Sequence, residues 1–226
     1  MGLNSEFVIV GHRGAAGLEP ENTLQSFARA IALGVDAIEL DVYCIDGALL
    51  VIHDDTLERT TNGTGPIAAK SLPQLRGLDA GKGQSIPLLE EVMDLVAGRV
   101  AVNVELKGKG TARRTAAVLA HYPGTESLVS SFDHVELRSF RATTRAIPVA
   151  PLFGRASTGM FEVADELRAW GVNLSRKIAA PGLLADARQR GYRTLVYTVN
   201  DPHEARALRE GGASGVFTDF PDRISR

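Results

Sequence analysis

Glu39-Leu40-Asp41 places two carboxylates two residues apart inside an apolar run. On a β-strand, positions i and i+2 share a face, so both acids would project together. A pair at this spacing can share one hard divalent cation, Mg²⁺ or Ca²⁺. Taken alone, a solvated strand end carrying two exposed acids explains it equally well. A third carboxylate, Glu105, lies in Val102-Asn103-Val104-Glu105-Leu106-Lys107, where apolar and polar residues alternate strictly. In a barrel strand the apolar set faces the surrounding helices. Glu105 and Lys107 would then point inward or up at the barrel mouth, where a charge is costly unless paired or metal-bound.

Two histidines add to this set. His12-Arg13-Gly14 closes the first apolar run and His53-Asp54 closes another. A hairpin turning near Asp46-Gly47 would bring His53 opposite Leu40, level with the carboxylate pair. Two imidazoles beside three acids, Arg13 and Lys107 point to acid/base work rather than to incidental strand-end histidines. The charges narrow the reaction. A divalent cation with Arg13 and Lys107 balances the three carboxylates and one phosphodiester. Such a site suits a substrate whose transition state gains negative charge on phosphorus oxygens. One histidine would deprotonate the attacking oxygen and the other protonate the leaving alkoxide, each worth about 10²- to 10⁴-fold in rate. His121, His134 and His203 lack such company and read as surface or helix residues. Cys44, beside the hairpin turn, has no evident base partner and is not read as a nucleophile.

Positioning these groups requires parallel strands. Short apolar runs recur at 7–10, 35–42, 49–52, 100–106, 128–130, 147–152, 172–174, 193–199 and 215–217. Helical patterns lie between most of them, at 22–33, 87–97, 111–121, 134–143, 160–169, 181–190 and 202–210. Asp201-Pro202-His203-Glu204 supplies an N-cap, a proline at the first helical position and an acid at the third. Gly34, Gly98, Gly171, Gly191 and Gly211 stand where helices should stop. This alternation predicts parallel strands with crossover helices. The third run follows the second too closely for a crossover, so residues 49–53 are expected to return antiparallel as a hairpin. Eight strand–helix units remain, predicting an α/β (β/α)8 TIM barrel; an open doubly wound sheet of that width is the poorer alternative. Residues 54–86 read as one long irregular insertion near the barrel mouth.

Length and composition agree. The 226 residues fit one domain spanning 1–226, since α/β barrels of about 200–250 residues are routinely single. A formal net charge of −2 argues against a bulk nucleic-acid binder. The lone cysteine permits no internal disulfide. The first residues show neither a basic start nor a signal-length apolar run, and no stretch approaches the roughly 18 apolar residues of a membrane span. Together these predict a cytoplasmic enzyme whose partner is a small-molecule phosphodiester, with no nucleic acid and no membrane span.

The motifs also resemble the glycerophosphodiester phosphodiesterase family. The matching stretches begin with Gly11-His12-Arg13-Gly14, Glu19-Pro20-Glu21-Asn22-Thr23 and Gly34 through Val42. They continue with Asp46-Gly47, His53 through Gly63, Ile86 through Val92 and Asn103 through Lys107, and end with Val196 through Asn200 and Gly215 through Asp222. The order covers nearly the whole chain. The resemblance implies a TIM barrel and one divalent cation, Mg²⁺ or Ca²⁺, on Glu39, Asp41 and Glu105. It implies His12 and His53 as the acid/base pair, Arg13 and Lys107 as phosphate-binding cations and Tyr197 as a pocket residue. The implied reaction is hydrolysis of glycerophosphodiesters to glycerol 3-phosphate and an alcohol in glycerophospholipid breakdown; the alternative is a related phospholipase, lysophospholipase D or phospholipase C-like. Three departures stand out. The insertion is trimmed before Ile86, Leu88 replaces the family's usual threonine, and Tyr197 replaces a tryptophan.

Overall fold

The nine apolar runs become nine strands within residues 2–225, which the computed structural model describes. They are β1 (Val8–Gly11), β2 (Ala37–Ile45), β3 (Ala48–Val51), β4 (Ala101–Leu106), β5 (Ser127–Ser131), β6 (Val149–Phe153), β7 (Gly171–Ser175), β8 (Arg193–Tyr197) and β9 (Gly215–Thr218). The helices are α1 (Leu24–Ala32), α2 (Leu72–Arg76), α3 (Leu89–Val96), α4 (Thr111–Leu119), α5 (His134–Thr143), α6 (Met160–Leu167), α7 (Pro181–Gln189) and α8 (Pro202–Glu210). All strands but β3 pair in parallel, and β1 bonds to both β2 and β9. The sheet therefore closes on itself as a (β/α)8 TIM barrel.

β3 is the expected return strand. It pairs antiparallel with β2 from Val42↔Val51 to Ile45↔Ala48. Asp46 (φ 49°) and Gly47 (φ 78°) form the turn. Positive φ at both central residues matches the twist of the two strands, which is why an Asp-Gly pair works here. Extending this register brings His53 opposite Leu40, as the sequence indicated.

Alternation sorts each barrel strand into two faces. Val102, Val104 and Leu106 of β4 join the main core under the helices. Val8, Val10, Ala37, Ala101, Leu128, Ala150, Leu195 and Phe217 fill the barrel interior. The helices answer with apolar stripes: α3 buries Leu89, Val92, Met93 and Val96, the i, i+3, i+4, i+7 pattern of one helix face. At its start, Leu88 has no side-chain oxygen to cap the helix, and only the Glu91 carboxylate reaches back to the Leu88 N–H, at 2.7 Å. α8 begins as expected, with Asp201 accepting bonds from the N–H groups of His203 and Glu204.

Two expectations change. Gly171 does not end a helix; α6 stops at Leu167 with Arg168 left-handed (φ 46°), and Gly171 opens β7. Glycine is needed there for another reason, because a Cβ would lie 2.4 Å from the Arg193 carbonyl oxygen. Residues 54–86 are also less irregular than they read. They contain a 3₁₀ turn (Ile67–Ala69) and α2, and bury Leu57, Ile67, Leu75 and Ile86 against Leu50 and Ile52. Elements of three and five residues are too short to leave a periodic signal. Among the described residues, no helix is long and apolar enough to cross a membrane.

Closure of the barrel depends on β9 lying tight against β1. A Cβ at Gly215 would come 2.3 Å from the Val8 carbonyl oxygen, a backbone atom that cannot swing aside. Gly215→Ala is expected to lower stability by about 1–3 kcal/mol, the usual cost of overpacking. Urea unfolding of the two proteins checks this; equal midpoints would remove the steric argument.

Candidate active site

The candidate residues continue the interior rows of the barrel by one further step. Val8 and Val10 lead to His12, Ala37 and Glu39 to Asp41, Ala101 and Asn103 to Glu105, Leu195 to Tyr197, and Phe217 to Asp219. All fall at or just past the C-terminal ends of the parallel pairings, which for β2 stop at Val42, the end where barrel enzymes carry their chemistry. The β2–β4 register sets Asp41 directly beside Glu105 and Glu39 beside Asn103. Glu39, Asp41 and Glu105 are buried, and each offers a carboxylate oxygen within 4.8 Å of the others.

Each acid is held by this chain. Glu39 Oε2 accepts the Arg13 backbone N–H at 2.9 Å. Asp41 Oδ2 accepts the Asn22 amide at 3.0 Å and lies 3.5 Å from Arg13 Nε. Glu105 Oε1 accepts from Lys107 Nζ at 3.0 Å. Asp41 Oδ1 is buried with no hydrogen-bond partner; its nearest cation is Lys107 Nζ at 3.7 Å. Burial, then Asp41, pushes Glu105 up to about 7; burial, then Asp41 and Glu105, pushes Glu39 well up. Three oxygen donors converging where ionisation is this costly, one of them with an unused buried oxygen, form the donor set of a hard divalent cation. The residues present therefore fit such an ion.

The two cations face the acids. Burial works against the charge of Arg13, but Asp41, Glu21 and Glu39 outweigh it and raise its pKa. Glu105 and Asp41 do the same for Lys107. Arg13 sits in a left-handed turn (φ 50°) that lets its backbone serve Glu39 and its side chain serve Asp41 and Glu21.

Both imidazoles are anchored at Nδ1. His12 Nδ1 lies 2.6 Å from Asp219 Oδ1, and His53 Nδ1 lies 2.6 Å from Asp54 Oδ1. Lys107 Nζ approaches His53 Nε2 at 3.3 Å. An ammonium can only donate, so this Nε2 carries the lone pair and Nδ1 holds the proton toward Asp54. His53 is thus neutral at rest, consistent with a pKa lowered chiefly by burial, with Arg13 and Lys107 adding to it and Asp41 and Asp54 opposing.

His12, Arg13, Glu39, His53, Asn103, Glu105, Phe132, Leu152, Tyr197, Thr198 and Phe217 line one cavity of about 200 Å³. One side is charged and the other apolar. Tyr197 stands between the edges of Phe132 (5.8 Å) and Phe217 (6.3 Å), with its hydroxyl buried and unpartnered. A more open groove of about 500 Å³ lies alongside, over Glu19, Glu21, Arg59 and Asp79; it holds no imidazole, and its carboxylates are taken by Lys82, Gln25, Arg13, Arg59 and backbone N–H groups.

The candidate set from sequence thus gathers at one mouth, with Lys107 touching Glu105 and His53. Four supporting residues were not picked out as site residues. Asn22 holds Asp41, Asp54 and Asp219 hold the imidazoles, and Asn200 donates to Asp219 Oδ2 at 2.7 Å while its own carbonyl accepts the Asp219 N–H. Asp54 had a usable signal, adjacency to His53. Asp219 lies 207 positions from His12, and no local pattern joins them.

Residues 12–223 match the Glycerophosphoryl diester phosphodiesterase family. A glycerophosphodiester phosphodiesterase of Bacillus altitudinis is 34% identical over 233 residues, covering 95% of both chains. One from Caldanaerobacter subterraneus subsp. tengcongensis is 30% identical, covering 96% of both. Among solved structures, an Oleispira antarctica phosphodiesterase in complex with the product sn-glycerol-3-phosphate is 30% identical with a TM-score of 0.92, covering 99% of this chain and 98% of that one.

The acid cluster makes a pH-dependent prediction. Glu105 titrates at about 7, above its ordinary 4.5. Its protonated form therefore favours the folded state fully below about 4.5, and that contribution is lost as pH rises through about 7. A cation replaces the protons. The melting-temperature gap between protein in Mg²⁺ or Ca²⁺ and protein in chelator should be small near pH 5 and largest above about 7. A gap that is absent, or flat across this range, would count against the three carboxylates as cation ligands.

Proposed function

This chain belongs to the glycerophosphoryl diester phosphodiesterase family, and from that membership we propose that it hydrolyses glycerophosphodiesters to glycerol 3-phosphate and an alcohol. The observation that carries this reading is the single cavity onto which His12, His53, Arg13, Glu39 and Glu105 all open. A divalent cation on Glu39, Asp41 and Glu105, Mg²⁺ or Ca²⁺, would draw negative charge from the phosphoryl oxygens and lower the cost of the transition state.

The remaining work falls to the chain itself. Arg13 and Lys107 bind the phosphoryl oxygens and stabilise the charge that develops on them. With Nδ1 of each imidazole tied to a carboxylate, proton transfer falls to Nε2, which on His53 gives up its contact with Lys107 Nζ when substrate binds. One takes the proton of the attacking hydroxyl as the new P–O bond forms. The other gives a proton to the alkoxide as the old P–O bond breaks. The attacking hydroxyl belongs to the substrate's own glycerol or to water; in the first case a cyclic phosphate forms and water opens it by the same exchange. Tyr197 lines the opposite side and bounds the space for the organic part of the substrate.

We assign residues 1–226 to one barrel domain with 54–86 as its insertion. The lone thiol of Cys44 supports work in a reducing compartment, the cytoplasm. A second reading, a phospholipase acting on lysophospholipids, draws on one observation. The cavity's apolar side reaches the surface at Phe132, and Phe132 and Val135 are the large hydrophobics that stand exposed among the described residues.

Purified protein with Mg²⁺, Ca²⁺ or Mn²⁺ should release glycerol 3-phosphate from glycerophosphocholine, and a chelator should stop it. His12→Ala and His53→Ala should each lose at least about 10²-fold in kcat while keeping a cooperative melt. Faster turnover of lysophosphatidylcholine than of glycerophosphocholine would favour the phospholipase. No turnover of any glycerophosphodiester would defeat the main reading, and near-normal turnover by either histidine variant would defeat the two-imidazole mechanism.

A further inference from the structure

The two histidine–carboxylate pairs are supported differently. Asp219, behind His12, is fixed within the barrel. Its second oxygen accepts from Asn200, whose carbonyl accepts in turn from the Asp219 N–H and, at 3.2 Å, the Thr218 hydroxyl. Asp54, behind His53, has no such strand-borne support among the described residues. Its side chain bonds to His53 and to Arg59, whose Nε donates to Oδ2 at 2.5 Å. Arg59 comes from the insertion, in the turn between buried Leu57 and Thr61. Its two Nη groups grip Glu21 as a fork, at 2.7 and 2.9 Å. Glu21 accepts from Arg13 Nη1 at 2.7 Å as well. An unbroken line of hydrogen bonds thus runs from Arg13 through Glu21, Arg59 and Asp54 to His53.

We propose that Arg59 is a positioning residue for the reaction: Glu21 fixes the plane of its guanidinium, the guanidinium fixes Asp54, and Asp54 fixes the ring and tautomer of His53. This rests on the acid/base role given to His53 above. Stability does not account for the arrangement. The Arg59 side chain is 47% exposed, and ion pairs at such sites contribute little to folding. A fork on one carboxylate with the Nε–H on another instead sets a direction, which a lysine ammonium cannot do. Arg59 also holds the Asp54 carboxyl well below its usual range, so Asp54 stays an acceptor for the Nδ1 proton throughout the working pH range.

The test is a mutant cycle with a spectroscopic arm. Arg59→Ala should lower kcat on glycerophosphocholine about 10- to 100-fold, the scale of a misplaced catalytic group, with a smaller change in KM. Arg59→Lys should recover little, and millimolar guanidinium chloride should restore part of the alanine variant's kcat. If Arg59 acts through Asp54, adding Arg59→Ala to Asp54→Asn should cost no more than about threefold beyond Asp54→Asn alone. Nitrogen-15 spectra of the His53 imidazole, which need no turnover, should show one tautomer in the wild type and a mixture in Arg59→Ala. Should the alanine variant lose its cooperative melt, Arg59→Gln takes its place in the cycle. A wild type without turnover defeats the proposed function and leaves the spectra to judge Arg59. A kcat within twofold of wild type, losses that multiply in the double variant, or an unchanged His53 tautomer overturns the inference.

Discussion

Three like charges brought together at a buried rim are the constraint around which this mouth is organised. Glu39, Asp41 and Glu105 cannot all be ionised there without compensation, because desolvation and mutual repulsion act in the same direction. Burial and the neighbouring acids hold Glu39 and Glu105 above their ordinary values. Much of the local backbone serves to offset this. Arg13 takes a left-handed conformation that presents its amide to one acid and its guanidinium to two others. Asn22, also left-handed (φ 57°), turns its amide onto Asp41. Asparagine is among the few residues that adopt this conformation at modest cost.

The barrel can hold such a cluster because its strands are rigid and their register is settled by packing. A slip of one residue in β4 would turn Glu105 toward the helices and Val104 into the mouth. The apolar rows under the helices therefore specify the acid cluster as firmly as any contact within it. The insertion is a different support. Its small core is built on β3, and it sends Arg59 back over the mouth to the side of His53. One imidazole is thus carried by barrel strands and the other depends on a segment that folds upon the barrel. Order in that segment is coupled to the geometry of the second imidazole.

The cavity has a charged face and an apolar one. Arg13, Glu39 and Glu105, with the two imidazoles, make up the first. Phe132, Leu152, Tyr197 and Phe217 offer apolar and aromatic surface on the other. The Tyr197 hydroxyl is buried without a partner, and burial, then Glu105, raises its pKa, so it remains a neutral donor.

Much of this was legible in the sequence. Strand alternation in 102–107, the Asp46-Gly47 turn and the strand–helix rhythm determined a closed parallel barrel with one hairpin, because periods of two and 3.6 residues are local properties. Most candidate residues could be named for related reasons: His12 and His53 end apolar runs, Glu39 and Asp41 share a strand face, Glu105 stands in strict alternation, and Tyr197 came from the family resemblance alone. What lay beyond the sequence were hydrogen-bond partners. Asp219, 207 positions from His12, meets it only when the strands close into a ring; Arg59, five positions from Asp54, takes its direction from the fold of the insertion and from Glu21, 38 positions away. The order within 54–86 stayed hidden too, since elements of three and five residues are too short to repeat a helical pattern. Local periodicity is written residue by residue; hydrogen-bond direction between distant side chains exists only once packing has set the backbones that carry them.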